Sequence, residues 1–242
     1  GYLRGPEAKP LRDQFVFKIV PMLNPEGVIN GNYRTGLAGH DLNRHYEKPS
    51  RYIHPSIFYL KRLVQRFRKE REIALYCDLH GHSSKAGLFF YGCEAGRWRA
   101  WREGQPGPAP PLYSEWILPC LLSARCPGFS LPSCRFRVRK SKEGTGRAVM
   151  WRECGVPNSY TLEVSFAGPE RAAGERLRHF GVGDLREMGR QLLVSLQALQ
   201  SPDTADERQR VLDDQKALAQ DRKRQREEAR QVRLREMGRI GS

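Results

Sequence analysis

The chain predicts an α/β fold: a mixed, largely parallel twisted sheet with helices on both faces. Two observations carry this expectation. Short β-branched and aromatic runs alternate along the chain with stretches whose apolar residues recur at helical spacing. Two of those runs, Ile73–Cys77 and Ser159–Phe166 (SYTLEVSF), are nearly continuous apolar segments, the pattern of strands covered on both sides.

In chain order, Phe15–Leu23 (FVFKIVPML) reads as a strand ending in a turn at Asn24-Pro25. Residues 30–49, rich in Gly, Asn and Arg, read as a long loop, and such a loop inside a compact domain is usually functional. From Pro55, Ile57, Leu60, Leu63, Val64 and Phe67 follow helical spacing with Lys and Arg opposite. Ile73–Cys77 then runs straight into Asp78-Leu79-His80-Gly81-His82-Ser83, and Leu88–Tyr91 is a further strand. The Pro/Gly-rich stretch 96–111 reads as a poorly ordered surface insertion. Trp116–Leu122 suggests a helix, Phe136–Arg139 a strand, and Leu185, Met188, Leu192, Leu193, Leu196 and Leu199 a last amphipathic helix. The expected domain is 1–202; residues 203–242, of mixed charge and few apolar side chains, form an exposed helix or a disordered tail.

The net charge is +15, of which the tail holds only +2, so the expected globular part is strongly basic. Such a surface meets an acidic partner or simply stays solvated. No run of 18 apolar residues is present, which excludes a membrane-spanning helix. Six cysteines without a CxxC pair fit buried free thiols of an intracellular protein. The first residues are neither a signal nor a transit peptide and lack an initiator Met, so the chain reads as a piece whose front end lies elsewhere.

Three groups carry chemistry. A His at a strand terminus, as in Asp78-Leu79-His80-Gly81-His82, sits where α/β sites lie and suits a zinc ion, or it is one of two loop histidines without a role. The segments Asn24–Gly27, Gly31–Arg34 and Asp41–Arg44 combine Arg and Asn, good carboxylate receptors that can equally be solvated turn residues. Glu163, on the side of Thr161 and Ser165 by strand alternation, is a general base if buried and a surface group if its strand is an edge.

Taken together, NPEGV, GNYR, DLNR, DLHGHS, KSKEGTGR and SYTLEVSF, in this order over about residues 11–200, closely resemble the cytosolic carboxypeptidases, zinc enzymes that remove glutamates from tubulin and other proteins. The resemblance implies a metallocarboxypeptidase-like sheet, incomplete at its amino-terminal end. It implies that His80 binds Zn2+, that Glu163 is the catalytic carboxylate and that Arg34 stabilises the oxyanion. Asn43 and Arg44 would clamp the substrate's terminal carboxylate, and Arg147 would select an acidic side chain. The family's catalytic tyrosine has no assigned position here. The implied partners are tubulin or other glutamate-rich tails, in the cytoplasm, with no nucleic acid and no membrane. Two further zinc ligands belong to a His-x-x-Glu motif, yet none of His40, His45, His54, His80, His82 and His179 has Glu three residues later. One ligand holds zinc too weakly for catalysis, so this chain alone is expected to be inactive. The alternative is a non-catalytic module that binds acidic tails.

Overall fold

The computed structural model describes residues 1–98, 109–169 and 178–240. Much of the stretch 96–111 read as a surface insertion lies outside the described residues.

Three strands, β1 (Tyr76–His82), β2 (Leu88–Tyr91) and β3 (Ser159–Ser165), form a sheet in the order β1-β3-β2. β3 runs parallel to β1 and antiparallel to β2, so the sheet is mixed, with one of its two pairings parallel. The register sets Tyr76, Asp78 and His80 beside Ser159, Thr161 and Glu163. Because side chains alternate, these six share one face, joined by Phe89 and Tyr91 from β2. The opposite face carries Cys77, Tyr160, Leu162, Val164, Leu88 and Phe90.

Helices cover both faces. On the apolar side, α4 (Ile117–Arg125) and α6 (Val182–Gln200) bring Leu118, Leu122, Met188 and Leu192 into the main core. α6 buries the stripe Met188, Leu192, Leu196, while Leu185, expected on that stripe, is exposed at its first turn. On the polar side, α5 (Gly146–Arg152) is buried over most of its length, as expected of a helix apolar nearly all round. Its Val149 and Met150 meet Tyr46 and Ile57, and its Trp151 packs edge-on to Trp98. Ile57 belongs to α3 (Pro55–Glu70), where Leu63, expected on the apolar stripe, is exposed instead. Lys61 of α3 is buried because its ammonium donates to the carbonyls of Tyr46 and Glu47 and to Glu153 at 2.6–2.9 Å.

Two expected strands are not strands. Phe15–Leu23 follows the short α1 (Lys9–Gln14) as extended chain, with Val16 56% and Ile19 68% exposed. β-propensity alone does not make a strand; a neighbour must complete the ladder, and none among the described residues does. Asn24-Pro25 opens a helix rather than a turn: Asn24 caps α2 (Pro25–Asn30) by accepting from Gly27 N–H at 3.1 Å, and Gly31 ends it at φ 73°. Phe136–Arg139 is also extended; the isolated bridge Tyr91–Arg135 meets the sheet just before it, and it buries Phe136 and Val138. The charged segment is helical as α7 (Ala205–Ile240). Its start docks through Val211 and Leu212 against Ile117, Leu121 and Ala198, and Arg125 grips Glu207 with two bonds of 3.3–3.4 Å.

Candidate active site

The carboxyl end of β1 and the middle of β3 place His80 directly opposite Glu163 on the polar face. His80 Nε2 meets Asp78 Oδ2 at 2.8 Å. In the neutral ring that contact fixes the proton on Nε2 and leaves Nδ1 as the nitrogen with a free lone pair, the one able to ligate. Burial works to lower the His80 pKa, but the hydrogen bond and charge of Asp78, then the charge of Glu163, raise it overall. Glu163 is 9% exposed. Burial pushes its carboxyl above the usual range against the opposing pull of His80, His82 and Arg147. The sequence left open whether Glu163 is buried or faces water; it is buried, because β3 is the central strand.

The loop 30–49 folds over this face through a tight turn, Leu42–Arg44. Asp41 caps the turn by accepting from Asn43 N–H at 2.9 Å and holds Arg44 at 3.7 Å and Arg34 at 3.9 Å. Asn43 Oδ1 accepts the Gly146 N–H at the start of α5 at 2.9 Å, which turns its Nδ2 toward His80 Nε2, 3.4 Å away. The Arg44 guanidinium donates to the Asn43 carbonyl at 2.7 Å. Gly144 lies against this turn so closely that a Cβ there would stand 2.5 Å from the Arg44 carbonyl oxygen. Gly144→Ala is therefore expected to displace the turn while leaving the remote α4–α6 core folded. Hydrogen–deuterium exchange of the turn and near-UV circular dichroism check both halves.

Arg147, from the first turn of α5, is 8% exposed. Its guanidinium stacks over Tyr91 and has only long contacts, 3.4 Å to the Gly92 carbonyl and 3.5 Å to Thr161 Oγ1. Burial lowers its pKa, with Cys93 and Glu163 opposing. Lys142 completes the group: burial, then the charges of Arg44, Arg34 and Arg147, hold its ammonium below the usual value. Among the described residues no carboxylate forms an ion pair with Arg147 or Lys142. Arg34, 54% exposed, is the outermost cation.

All six residues singled out from the sequence thus converge on one side of the sheet: His80, Glu163, Arg34, Asn43, Arg44 and Arg147. Three others join them: Asp78 and Asp41, which the sequence offered only as members of their segments and without a site role of their own, and Lys142, which it did not single out. Asp78 could be found as the same-face neighbour two positions before His80, and Asp41 as the cap of an Asp-x-Asn turn. Lys142 carried no signal that set it apart from Lys140 and Arg139. A complete zinc centre does not fit these residues. His80 supplies one ligand, and among the described residues no group of three His, Cys, Asp or Glu that could hold a metal ion includes it.

No family model matches the chain. The chain is 48% identical over 199 residues to cytosolic carboxypeptidase 3 of Mus musculus, covering 81% of this chain and 19% of that protein. It is 44% identical over 200 residues to cytosolic carboxypeptidase 2 of Homo sapiens, covering 82% and 21%. The chain therefore spans about a fifth of the length of the curated relatives it matches. Among solved structures, a metallo-carboxypeptidase from Burkholderia cenocepacia superposes with a TM-score of 0.58 at 20% identity, over 75% of this chain and 44% of that one. A metallo-carboxypeptidase from Pseudomonas aeruginosa, in complex with (2-guanidinoethylmercapto)succinic acid, gives 0.54 at 24% identity, over 73% and 44%. These two likenesses establish the fold. With nearly half of its residues identical to named relatives over four fifths of its length, the chain belongs to the cytosolic carboxypeptidases.

Proposed function

We propose that this chain is the substrate-reading part of a zinc-dependent carboxypeptidase that removes carboxy-terminal glutamates from acidic protein tails such as those of tubulin, in the cytoplasm. The observation that carries this reading is the set of cations, Arg34, Arg44, Lys142 and Arg147, gathered beside a buried Glu163 with only Asp41 between two of them. A buried guanidinium such as that of Arg147, with no carboxylate paired to it among the described residues, is costly unless an anion joins it. A peptide ending in glutamate brings two.

Asn43 and Arg44 grip the terminal carboxylate, Arg147 and Lys142 receive the side-chain carboxylate, and Arg34 faces the carbonyl oxygen as charge develops on it. Glu163, whose proton affinity burial raises, takes a proton from the attacking water at its carboxylate and returns it to the departing amine. A metal bound partly by His80 would supply electrophilic activation of water and carbonyl. The residues of this chain do not complete that centre, and no step is routed through it.

The test is binding. A fluorescent peptide ending in two glutamates should bind purified residues 1–242 in a salt-sensitive way. Its carboxy-terminal amide should bind about tenfold more weakly, because the clamp then loses a charge-assisted pair. Equal affinity for both peptides would sink the carboxylate clamp. Glutamate release by the chain alone is expected to be undetectable; release abolished by Glu163→Gln would show that the site is complete as it stands. The second reading, a non-catalytic binder of acidic tails, shares the cation cluster but leaves the burial of Glu163 without a purpose.

A further inference from the structure

Behind the clamp turn lie three histidines that the site above does not use. His40 directly precedes Asp41, His45 directly follows Arg44, and His54 stands at the start of α3. One ring nitrogen from each lies within 4.8 Å of the others. His40 Nδ1 faces His54 Nε2 at 2.8 Å, and the rings stack with centroids 4.4 Å apart for His45–His54 and 4.9 Å for His40–His45. His54 is 5% exposed. No hydrogen bond engages the His45 ring nitrogens among the described residues.

We propose that His40, His45 and His54 form a second metal site, separate from His80, that takes an imidazole-preferring divalent transition metal such as Zn2+ with water as the fourth ligand. Three imidazoles with no carboxylate among them suit Zn2+, Cu2+ or Ni2+ and not Ca2+ or Mg2+. The gap between His40 and His54 is held by a single proton, which a metal can replace. A bound ion would tie both ends of the Asp41–Arg44 turn to the first turn of α3. The site stands whether or not that turn grips a carboxylate.

Loading has a definite structural signature. A metal lies in the plane of each imidazole it binds, so the stacked rings must turn about their Cβ–Cγ bonds. The Ser50 N–H donates to His54 Nδ1 at 3.1 Å, so the proton of the neutral His54 ring sits on Nε2 and points at His40. When a metal takes Nε2, that proton moves to Nδ1 and the Ser50 amide loses its acceptor. No proton is lost from His54, and His40 Nδ1 already presents a lone pair.

The experiment is calorimetric titration of Zn2+ into metal-free residues 1–242, with hydrogen–deuterium exchange of the segment holding Ser50. One strong site should persist in His80→Gln. It should weaken at least tenfold in His40→Gln and in His45→Gln, since each removes a direct ligand. In the unaltered chain Zn2+ should speed exchange at Ser50, a readout that needs no variant to fold. Absence of Zn2+ binding would overturn the proposal. So would affinity lost in His80→Gln but untouched in the other two, or Ser50 exchange that Zn2+ leaves unchanged.

Discussion

Replacing Arg147 with methionine is expected to lower affinity for a glutamate-ended peptide by about a hundredfold, the loss typical when one partner of a buried charge pair is removed. Methionine keeps an unbranched apolar stem against Tyr91 and deletes only the charge. The same variant should be at least as stable as the parent in urea. A guanidinium 8% exposed, with contacts of 3.4 and 3.5 Å and no carboxylate partner, weakens the unliganded fold rather than supporting it. Lower affinity with undiminished stability marks a binding residue; a fall in both would make Arg147 structural. Affinity for the glutamate peptide within threefold of the parent would remove Arg147 from the pocket altogether.

What the sequence made legible follows from how local each signal is. β3, α3 and α6 announce themselves because their periodicity reports which face is covered, and that face is covered here, whereas the expected strand Ile73–Cys77 shares only Tyr76 and Cys77 with β1, which runs on to His82. Phe15–Leu23 carries the same strand composition, yet a strand is a relation between two segments, and this one has no described neighbour. Leu79, 69% exposed on the outer strand β1, shows the same lack of cover. The site residues His80, Glu163, Arg34, Asn43, Arg44 and Arg147 were legible through the order of their motifs. Lys142 was not, since its importance lies in which charges surround it after folding. Nor was the histidine cluster: positions 40, 45 and 54 match no ligand spacing on one helix or hairpin, and only the loop's return to α3 brings them together.

Glu115→Gln is expected to stabilise the fold by roughly 2–3 kcal/mol at pH 8 relative to pH 5, an effect that follows from one displaced titration. Glu115 is 4% exposed in the short turn just before α4, where its carboxylate accepts from the Ala95 N–H at 3.2 Å. Burial raises its pKa to about 7, with hydrogen bonds from its own backbone N–H and from that of Ala95 opposing and the charge of Glu94 adding. Below the ordinary value of 4.5 folded and unfolded chains are both protonated and the group contributes nothing. Between 4.5 and about 7 the unfolded chain releases the proton while the folded chain retains it, so stability falls as pH rises and levels off above 7. Glutamine keeps a carbonyl for the Ala95 amide and never ionises, so the variant should lack this slope. Urea unfolding of both proteins at pH 5, 6, 7 and 8 would show it. Parallel stability curves across that range would mean that Glu115 ionises in the fold as readily as in the unfolded chain. Its backbone carbonyl, which accepts from the Tyr160 hydroxyl at 3.0 Å, is untouched by the change, so the bond between this turn and β3 remains in both proteins.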